Sequence, residues 1–130
     1  QLKLTKYLLK FANSSIDISD GLLVDLKKML NRQNLSFQIK LDKIPTSKIL
    51  NDVILEKKLK KINLISNGDD YQIIFTAHQK KGRIINRISK FTGIKISKIG
   101  KIISGANKSV IIDKKSKQIE PKNEGYIHEF

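Results

Sequence analysis

A stretch near the start of the chain places two carboxylates and a hydroxyl within a span of four residues. It runs from Ser15 to Leu23 and contains Asp17, Ser19 and Asp20. The isoleucines in its first half favour an extended backbone, whereas the leucines that follow recur at helical spacing. We therefore expect the three polar side chains at the point where a strand ends and a helix begins. Backbone N–H groups and the helix dipole attract anions at such a point, and Mg²⁺ is commonly shared between carboxylates and substrate phosphates.

The same residues have a simpler explanation as an ordinary helix start. Ser and Asp are preferred N-cap residues, so Asp17 and Asp20 are candidates for a carboxylate cap with a favourable charge in the first turn. Spacing alone favours this cap hypothesis, because such residues begin very many helices. Residue types and spacing leave both hypotheses open.

Length and composition indicate one globular domain, spanning residues 1–130. The chain is 39% hydrophobic and 29% charged, which is ordinary for a protein that buries a core. The absence of cysteine excludes disulfides and thiolate metal sites and fits a reducing cytoplasm. No apolar run approaches the ~20 residues of a membrane span and no signal-peptide pattern is present, so we expect no membrane partner. The chain begins at Gln1 rather than Met, and we expect it to be a piece of a longer protein.

The formal net charge of +14 raises the possibility of a nucleic-acid-binding module. All basic residues except Arg32, Arg83 and Arg87 are lysines, whereas sites that recognise phosphates or bases by forked geometry favour arginine. Isoleucine is frequent and alanine scarce, a bias expected from codons rich in A and T. We therefore expect no specific nucleic-acid partner and keep the basic module as the alternative function.

Hydrophobic periodicity predicts alternating helices and strands. The expected helices cover Leu2–Phe11, Ser19–Asn31, a segment begun by Thr46 or Ser47, Glu56–Ile62 and Gln79–Phe91, the last ended by Gly93. The expected strands cover Ser36–Leu41, a central Tyr71–Thr76, one or two within 94–103 with a register slip near 97–100, Ser109–Ile112 and Gln118–Ile119. This order predicts the α+β class, with a mixed sheet covered by helices.

Three motifs together resemble one enzyme family. They are Asp-Ile-Ser-Asp-Gly-Leu at 17–22, Gly-Asp-Asp-Tyr at 68–71 and Gly-Tyr-Ile-His-Glu-Phe at 125–130. In order and spacing they resemble the carboxyl-terminal domain of thiamine-monophosphate kinase, from about Asn13 to the end of the chain. The resemblance implies a three-layer α/β/α domain with a mixed sheet, like the carboxyl-terminal domain of aminoimidazole ribonucleotide synthetase. It also implies that this chain is the carboxyl-terminal half of a longer enzyme, whose amino-terminal ATP-binding domain it does not include.

The resemblance further implies the chemistry and the residues that serve it. In that family ATP phosphorylates thiamine monophosphate to thiamine diphosphate with the help of Mg²⁺. Carried over by position, Asp17 and Asp20 would bind Mg²⁺ and Ser19 would contact ATP. Asp69 would face the thiamine moiety, and Tyr126 would contact its rings. No side chain of this chain would have a direct catalytic role.

Two of the three motifs depart from the family pattern. Asp69 stands where the family has Glu, which is one methylene longer, and the family ending Gly-Tyr-Asp-His-Phe is changed by Ile127 and by an inserted Glu129.

His78 and His128 lack metal-ligand spacing. The chain also has no Cys nucleophile, no G-x-S-x-G elbow and no Walker-type loop.

The expected partners are thiamine monophosphate, ATP and an amino-terminal domain of the same enzyme, with the parent a homodimer in the cytoplasm. Alternatives are a purine-biosynthesis or hydrogenase-maturation enzyme of the same superfamily. We expect the 130 residues alone to turn over negligibly.

Overall fold

The computed structural model describes residues 2–65 and 72–121. Its helices are α1 (Leu2–Phe11), α2 (Leu22–Met29), α3 (Lys48–Glu56), α4 (Lys61–Leu64) and α5 (Gly82–Thr92). Its strands are β1 (Ala12–Asp17), β2 (Leu35–Lys40), β3 (Ile73–Ala77), β4 (Gly100–Ser104), β5 (Val110–Ile112) and β6 (Gln118–Ile119). Single 3₁₀ turns cover Leu41–Lys43 and Gln79–Lys81.

The strands form two groups. Four of them make a mixed sheet in the order β4-β2-β5-β6, in which β2 is antiparallel to β4 and parallel to β5. The strands β1 and β3 pair antiparallel, and Asp17 lies opposite Ile73 at the end of this ladder. The predicted α+β class, with a mixed sheet and helices, is confirmed.

Apolar side chains from alternate strand positions and one face of each main helix form two clusters. The first joins α2 to the four-stranded sheet and includes Leu22, Leu23, Leu26, Leu30, Phe37, Ile39 and Ile111. The second joins α1 to α5 and includes Leu4, Leu8, Phe11 and Ile88. Since burial of one large apolar side chain contributes about 1.5–3 kcal/mol, the leucines of α2 fix that helix firmly under the loop that precedes it.

Most predicted elements are confirmed by the structure. α1 covers the expected residues, β2 and β5 lie within one residue of expectation, and β6 is present. The side chain of Ser47 caps α3 by accepting a hydrogen bond from Leu50 N at 3.1 Å. Gly93 ends α5 in the left-handed conformation, with φ of 70°, as a glycine at this position typically does.

Three predicted boundaries are wrong. α2 begins at Leu22 rather than Ser19, because Gly21 has a φ of 125° and a ψ of 150°, which do not fit a helix. α4 begins at Lys61 rather than near Glu56, because the chain turns at Lys58, which has a φ of 51°. Residues 94–99 are not in a strand.

The predicted central position of β3 is also wrong within the described residues, where β3 pairs with β1 alone. Its β-branched and aromatic side chains pack against α1 and α5 on one face instead. The Gly-Asp-Asp-Tyr motif at 68–71 and the motif from Gly125 to Phe130 lie outside the described residues. Among the described helices, none has both the length and the apolar character needed to cross a membrane.

Candidate functional site

The loop of residues 18–21 connects β1 to α2; it carries Ser19 and Asp20 and directly follows Asp17. β1 ends at Asp17, and the next residue, Ile18, is buried and donates its N–H to Gln72 O at 2.8 Å. At the other end Leu22 N donates to Ile65 O at 3.3 Å. The loop is therefore attached at both ends to segments distant in the chain. This arrangement confirms that the polar stretch lies between a strand and a helix.

A buried carboxylate lies under this loop. Asp25, in the first turn of α2, is 1% exposed. Its Oδ2 accepts hydrogen bonds from Ser19 N at 2.7 Å and from Asp20 N at 2.9 Å. Two backbone N–H groups of the loop thus point inward to one oxygen atom, while the Ser19 residue itself is exposed and Asp20 is half-buried.

Lys28 connects this buried carboxylate to the surface. Its Nζ donates to Asp25 Oδ1 at 3.1 Å and forms an ion pair with Asp20 Oδ2. Its side chain is 50% exposed, whereas that of Asp25 is 2% exposed. The ammonium therefore bridges a predicted metal ligand and the group beneath it.

The titration behaviour of these groups follows from the same contacts. Burial acts to raise the pKa of the Asp25 carboxyl, but hydrogen bonds from Ser19 N, Asp20 N and Lys28 outweigh burial, so the pKa lies below the ordinary aspartate value. The hydrogen bond to Asp20, followed by that to Asp25, raises the pKa of Lys28 above the ordinary lysine value. Both groups are charged at neutral pH.

The cap hypothesis for the three polar residues is wrong. The N-cap of α2 is Gly21, with φ of 125° and ψ of 150°, and no side chain accepts a hydrogen bond there. That conformation is accessible essentially to glycine alone. None of Asp17, Ser19 and Asp20 is therefore the N-cap residue of α2.

The donor set suits a hard cation that takes further ligands from elsewhere. Asp17 and Ser19 are exposed and Asp20 is half-buried, so two carboxylates and a hydroxyl lie along one short loop. Among the described residues no cluster of three or more His, Cys, Asp or Glu could hold a metal ion. Mg²⁺ usually takes only one or two protein carboxylates and completes its shell with water and phosphate oxygens. The loop fits that role, with Lys28 sharing the Asp20 carboxylate.

The remaining residues named in the sequence analysis are Asp69, Tyr126 and the two histidines. Asp69 and Tyr126 lie outside the described residues, as does His128. His78 is exposed, and its Nδ1 accepts a hydrogen bond from Lys80 N at 3.2 Å, which makes it a local turn residue.

A cavity of about 690 Å³ lies against the carboxyl-terminal half of α2, between Leu30, Phe37 and Pro121. None of the three loop residues lines this cavity. The candidate site is an open loop on the surface of the described part.

Sequence reasoning missed Asp25 and Lys28. A signal for Asp25 was present: it falls among Leu22, Leu23 and Leu26 on the apolar stripe of α2, where a charged residue needs a buried partner. Lys28 follows it by three residues, a spacing that brings two side chains together on a helix.

Comparisons with known proteins give one consistent result. No protein-family model matches the chain. The thiamine-monophosphate kinase of Buchnera aphidicola subsp. Schizaphis graminum is 37% identical over 118 residues, which cover 90% of this chain and 36% of that protein. The crystal structure of thiamine-monophosphate kinase from Stenotrophomonas maltophilia K279a matches with a TM-score of 0.73 and 25% identity, over 88% of this chain and 35% of that one.

A further solved structure, AaThiL complexed with AMPPCP and TMP, matches with a TM-score of 0.68 and 25% identity. The match covers 97% of this chain and 37% of that one. The chain thus spans little more than a third of the length of the relatives that it matches, 36% for two of the curated proteins.

Proposed function

Because the chain is a thiamine-monophosphate kinase-like domain, we propose that it is the carboxyl-terminal, substrate-contacting domain of an enzyme that phosphorylates thiamine monophosphate. In this reaction the γ-phosphoryl group of ATP passes to a phosphate oxygen of thiamine monophosphate, giving ADP and thiamine diphosphate. The observation that carries the proposal is the similarity over nine-tenths of the chain to a protein of that name. The AaThiL structure, which contains the ATP analogue AMPPCP together with TMP, supports the two substrates.

We assign the residues as follows. Asp17 and Asp20 hold Mg²⁺, and the Ser19 hydroxyl donates a hydrogen bond to a phosphate oxygen of ATP. Support comes from the position of all three between β1 and α2, with Asp17 and Ser19 exposed and Asp20 half-buried, and from Gly21 being the N-cap of α2 in their place. Asp69 and Tyr126 remain proposed contacts to the thiamine moiety, the latter through the attraction of an aromatic face for a cationic ring.

Phosphoryl transfer asks a protein mainly for positioning and for charge stabilisation. Bound Mg²⁺ would neutralise part of the charge on the phosphates. The contribution of this chain is to present two carboxylates and a hydroxyl on a backbone that Ile18 ties to Gln72, just before β3, and that Asp25 ties to α2. Rigid presentation is favourable, because donors and ligands that are already in place need no reorganisation during the reaction.

The relatives are longer than this chain, which covers 36% of two of them. We propose that an amino-terminal domain supplies further ATP and Mg²⁺ contacts and that the parent protein is a homodimer. We also propose that it acts in the cytoplasm, since a chain without cysteine fits a reducing compartment. The 130 residues alone should therefore release ADP negligibly.

The test is ADP release by the full-length protein with ATP, excess Mg²⁺ and thiamine monophosphate. Unphosphorylated thiamine serves as the matched control, because it offers the same rings without the acceptor phosphate. We expect ADP release that depends on thiamine monophosphate. Thermal shifts with thiamine monophosphate and with aminoimidazole ribonucleotide separate this enzyme from its superfamily relatives. A folded protein that releases no ADP, or that is stabilised only by the aminoimidazole compound, would contradict the proposal.

The net charge of +14 favours one second candidate, a nucleic-acid-binding module. Exposed Arg83 and Arg87 project from α5, which also carries Lys90 in its last turn. Such attachment depends on release of counterions and weakens steeply with salt. We expect weak, sequence-independent binding to labelled oligonucleotides at physiological salt. Submicromolar binding with base preference there would favour the module over the kinase.

A further inference from the structure

Asp25 is a charged residue on the buried face of α2, and the proposed chemistry gives it no ligand. It is 1% exposed and lies beside Leu22 and Leu26 in the first apolar cluster. A buried carboxylate is costly unless hydrogen bonds compensate for its lost hydration. Its presence at this position therefore calls for a reason other than packing.

The contacts of Asp25 show that it cannot itself be a metal ligand in this arrangement. Oδ2 accepts from both Ser19 N and Asp20 N, at 2.7 and 2.9 Å, and Oδ1 faces Lys28 Nζ at 3.1 Å. Both oxygen atoms are thus committed to donors of the protein. Any effect of Asp25 on a ligand must pass through the loop.

The inward-pointing N–H groups explain why Ser19 and Asp20 do not cap α2. Ser and Asp are among the strongest N-cap residues, and both lie within three residues of the first helical position. A capping side chain turns back toward the helix N–H groups, and its oxygen is then used. By accepting hydrogen bonds from the N–H groups of Ser19 and Asp20, the Asp25 carboxylate holds the bend at these two residues, and the helix begins only after Gly21.

We propose that Asp25 is a positioning residue: it fixes the backbone of Ser19 and Asp20, so that the hydroxyl and the carboxylate face the magnesium and phosphate groups instead of capping the helix. This inference rests on the proposed function of the loop. Lys28 completes the arrangement by linking Asp25 to the side chain of Asp20.

The experiment compares Asp25→Ala and Asp25→Asn in the full-length protein. Asp25→Ala removes the acceptor, whereas Asp25→Asn keeps an oxygen able to accept both N–H bonds without the charge. Asp52→Ala and Asp52→Asn are matched controls, because Asp52 is an exposed aspartate on α3. Two quantities are measured well below the melting temperature. They are amide hydrogen exchange at Ser19 and Asp20, followed by NMR, and the binding of Mn²⁺ in place of Mg²⁺, followed by EPR. Thermal stability is measured separately, by a melt.

We expect Asp25→Ala to speed exchange at the two amides by at least ~10-fold and to weaken Mn²⁺ binding to a similar degree, since two hydrogen bonds to a charged acceptor are lost. Asp25→Asn should fall between wild type and Asp25→Ala, with exchange about fivefold faster, because a neutral acceptor forms bonds of roughly half the strength. Both Asp52 variants should match wild type in exchange and in Mn²⁺ affinity.

The outcomes separate the possible explanations. A folded Asp25→Ala protein with Mn²⁺ affinity within twofold of wild type would reduce Asp25 to a stabilising residue and overturn the inference, however far its melting temperature falls. If Asp25→Ala does not fold, unchanged amide exchange in Asp25→Asn overturns the inference instead. Equal Mn²⁺ binding by wild type and Asp20→Asn would overturn the magnesium assignment itself, and the positioning role with it.

Discussion

Replacing Lys28 with Met removes the ammonium that bridges Asp20 and Asp25 but keeps a side chain of similar length. Breaking a buried ion pair typically costs about 3–5 kcal/mol, whereas an exposed pair contributes about 0–1 kcal/mol. The Lys28 side chain is 50% exposed and that of Asp25 is 2% exposed, so this pair lies between the two cases. Asp25 also keeps its two backbone donors. We therefore expect a loss of about 1–2 kcal/mol in the free energy of unfolding at neutral pH.

The assay is urea unfolding of the full-length protein, followed by circular dichroism. Lys90→Met is the matched control, because Lys90 occupies the last turn of α5 as Lys28 occupies the last turn of α2. Both variants lose the same favourable interaction with a helix dipole, which is worth about 0.3–1 kcal/mol. The excess loss in Lys28→Met measures the ion pair. Combining Lys28→Met with Asp25→Asn should cost less than the sum of the single changes, because the two residues are in contact.

Equal destabilisation by Lys28→Met and Lys90→Met would refute this reasoning. Strict additivity with Asp25→Asn would do so as well, because it would show that the ammonium and the carboxylate do not interact.

Three further predictions follow from the fold and the loop. Because the pKa of Asp25 is lowered, its stabilising contribution is fully present above about pH 4, the ordinary aspartate value. The contribution disappears as the pH falls through the lowered pKa. The difference in urea midpoint between wild type and Asp25→Asn should therefore become smaller as the pH is lowered. Gly21→Ala should lower the free energy of unfolding by about 1–3 kcal/mol in a thermal melt, because Gly21 has a φ of 125°. Gly82 has a φ of −52° and open space around it, so Gly82→Ala should be neutral or stabilising. Equal losses of stability in the two variants would contradict this prediction. Leu26→Ala, at 2% exposure, should cost about 2–5 kcal/mol, and Leu55→Ala, at 78% exposure, about 0.5 kcal/mol or less; similar urea midpoints for the two would disprove the assignment of α2 to the core.

The elements predicted well from the sequence are those whose own side chains determine them. α1 and α5 carry a clear apolar stripe, and the alternation of β2 places Phe37 and Ile39 on its buried face. The start of α2 could not be found in this way, because the helix begins after Gly21, which has a φ of 125°, whereas Ser19 and Asp20 are the stronger cap residues by type. The pairing of β3 depends on contacts with distant segments, which its own composition does not specify.

At the candidate site, too, one feature could be predicted from the sequence and another could not. The position of Asp17, Ser19 and Asp20 between a strand and a helix followed from residue types and periodicity. The N-cap of α2 did not follow in the same way, because local preference favours Ser or Asp at that position, whereas the structure has Gly21 there. The roles of Asp69 and Tyr126 remain predictions, since both residues lie outside the described part of the chain.

The most direct test of the proposed function is turnover by Asp20→Asn in the full-length protein, with ADP release and melting temperature measured on the same preparation. We expect a melting temperature within a few degrees of wild type and a fall in turnover of at least ~100-fold, the scale seen when one electrostatic contact to a transition state is lost. Asp52→Asn is again the control and should turn over like wild type. Near-normal turnover by Asp20→Asn at every Mg²⁺ concentration would contradict the assignment of this loop as the magnesium and phosphate site.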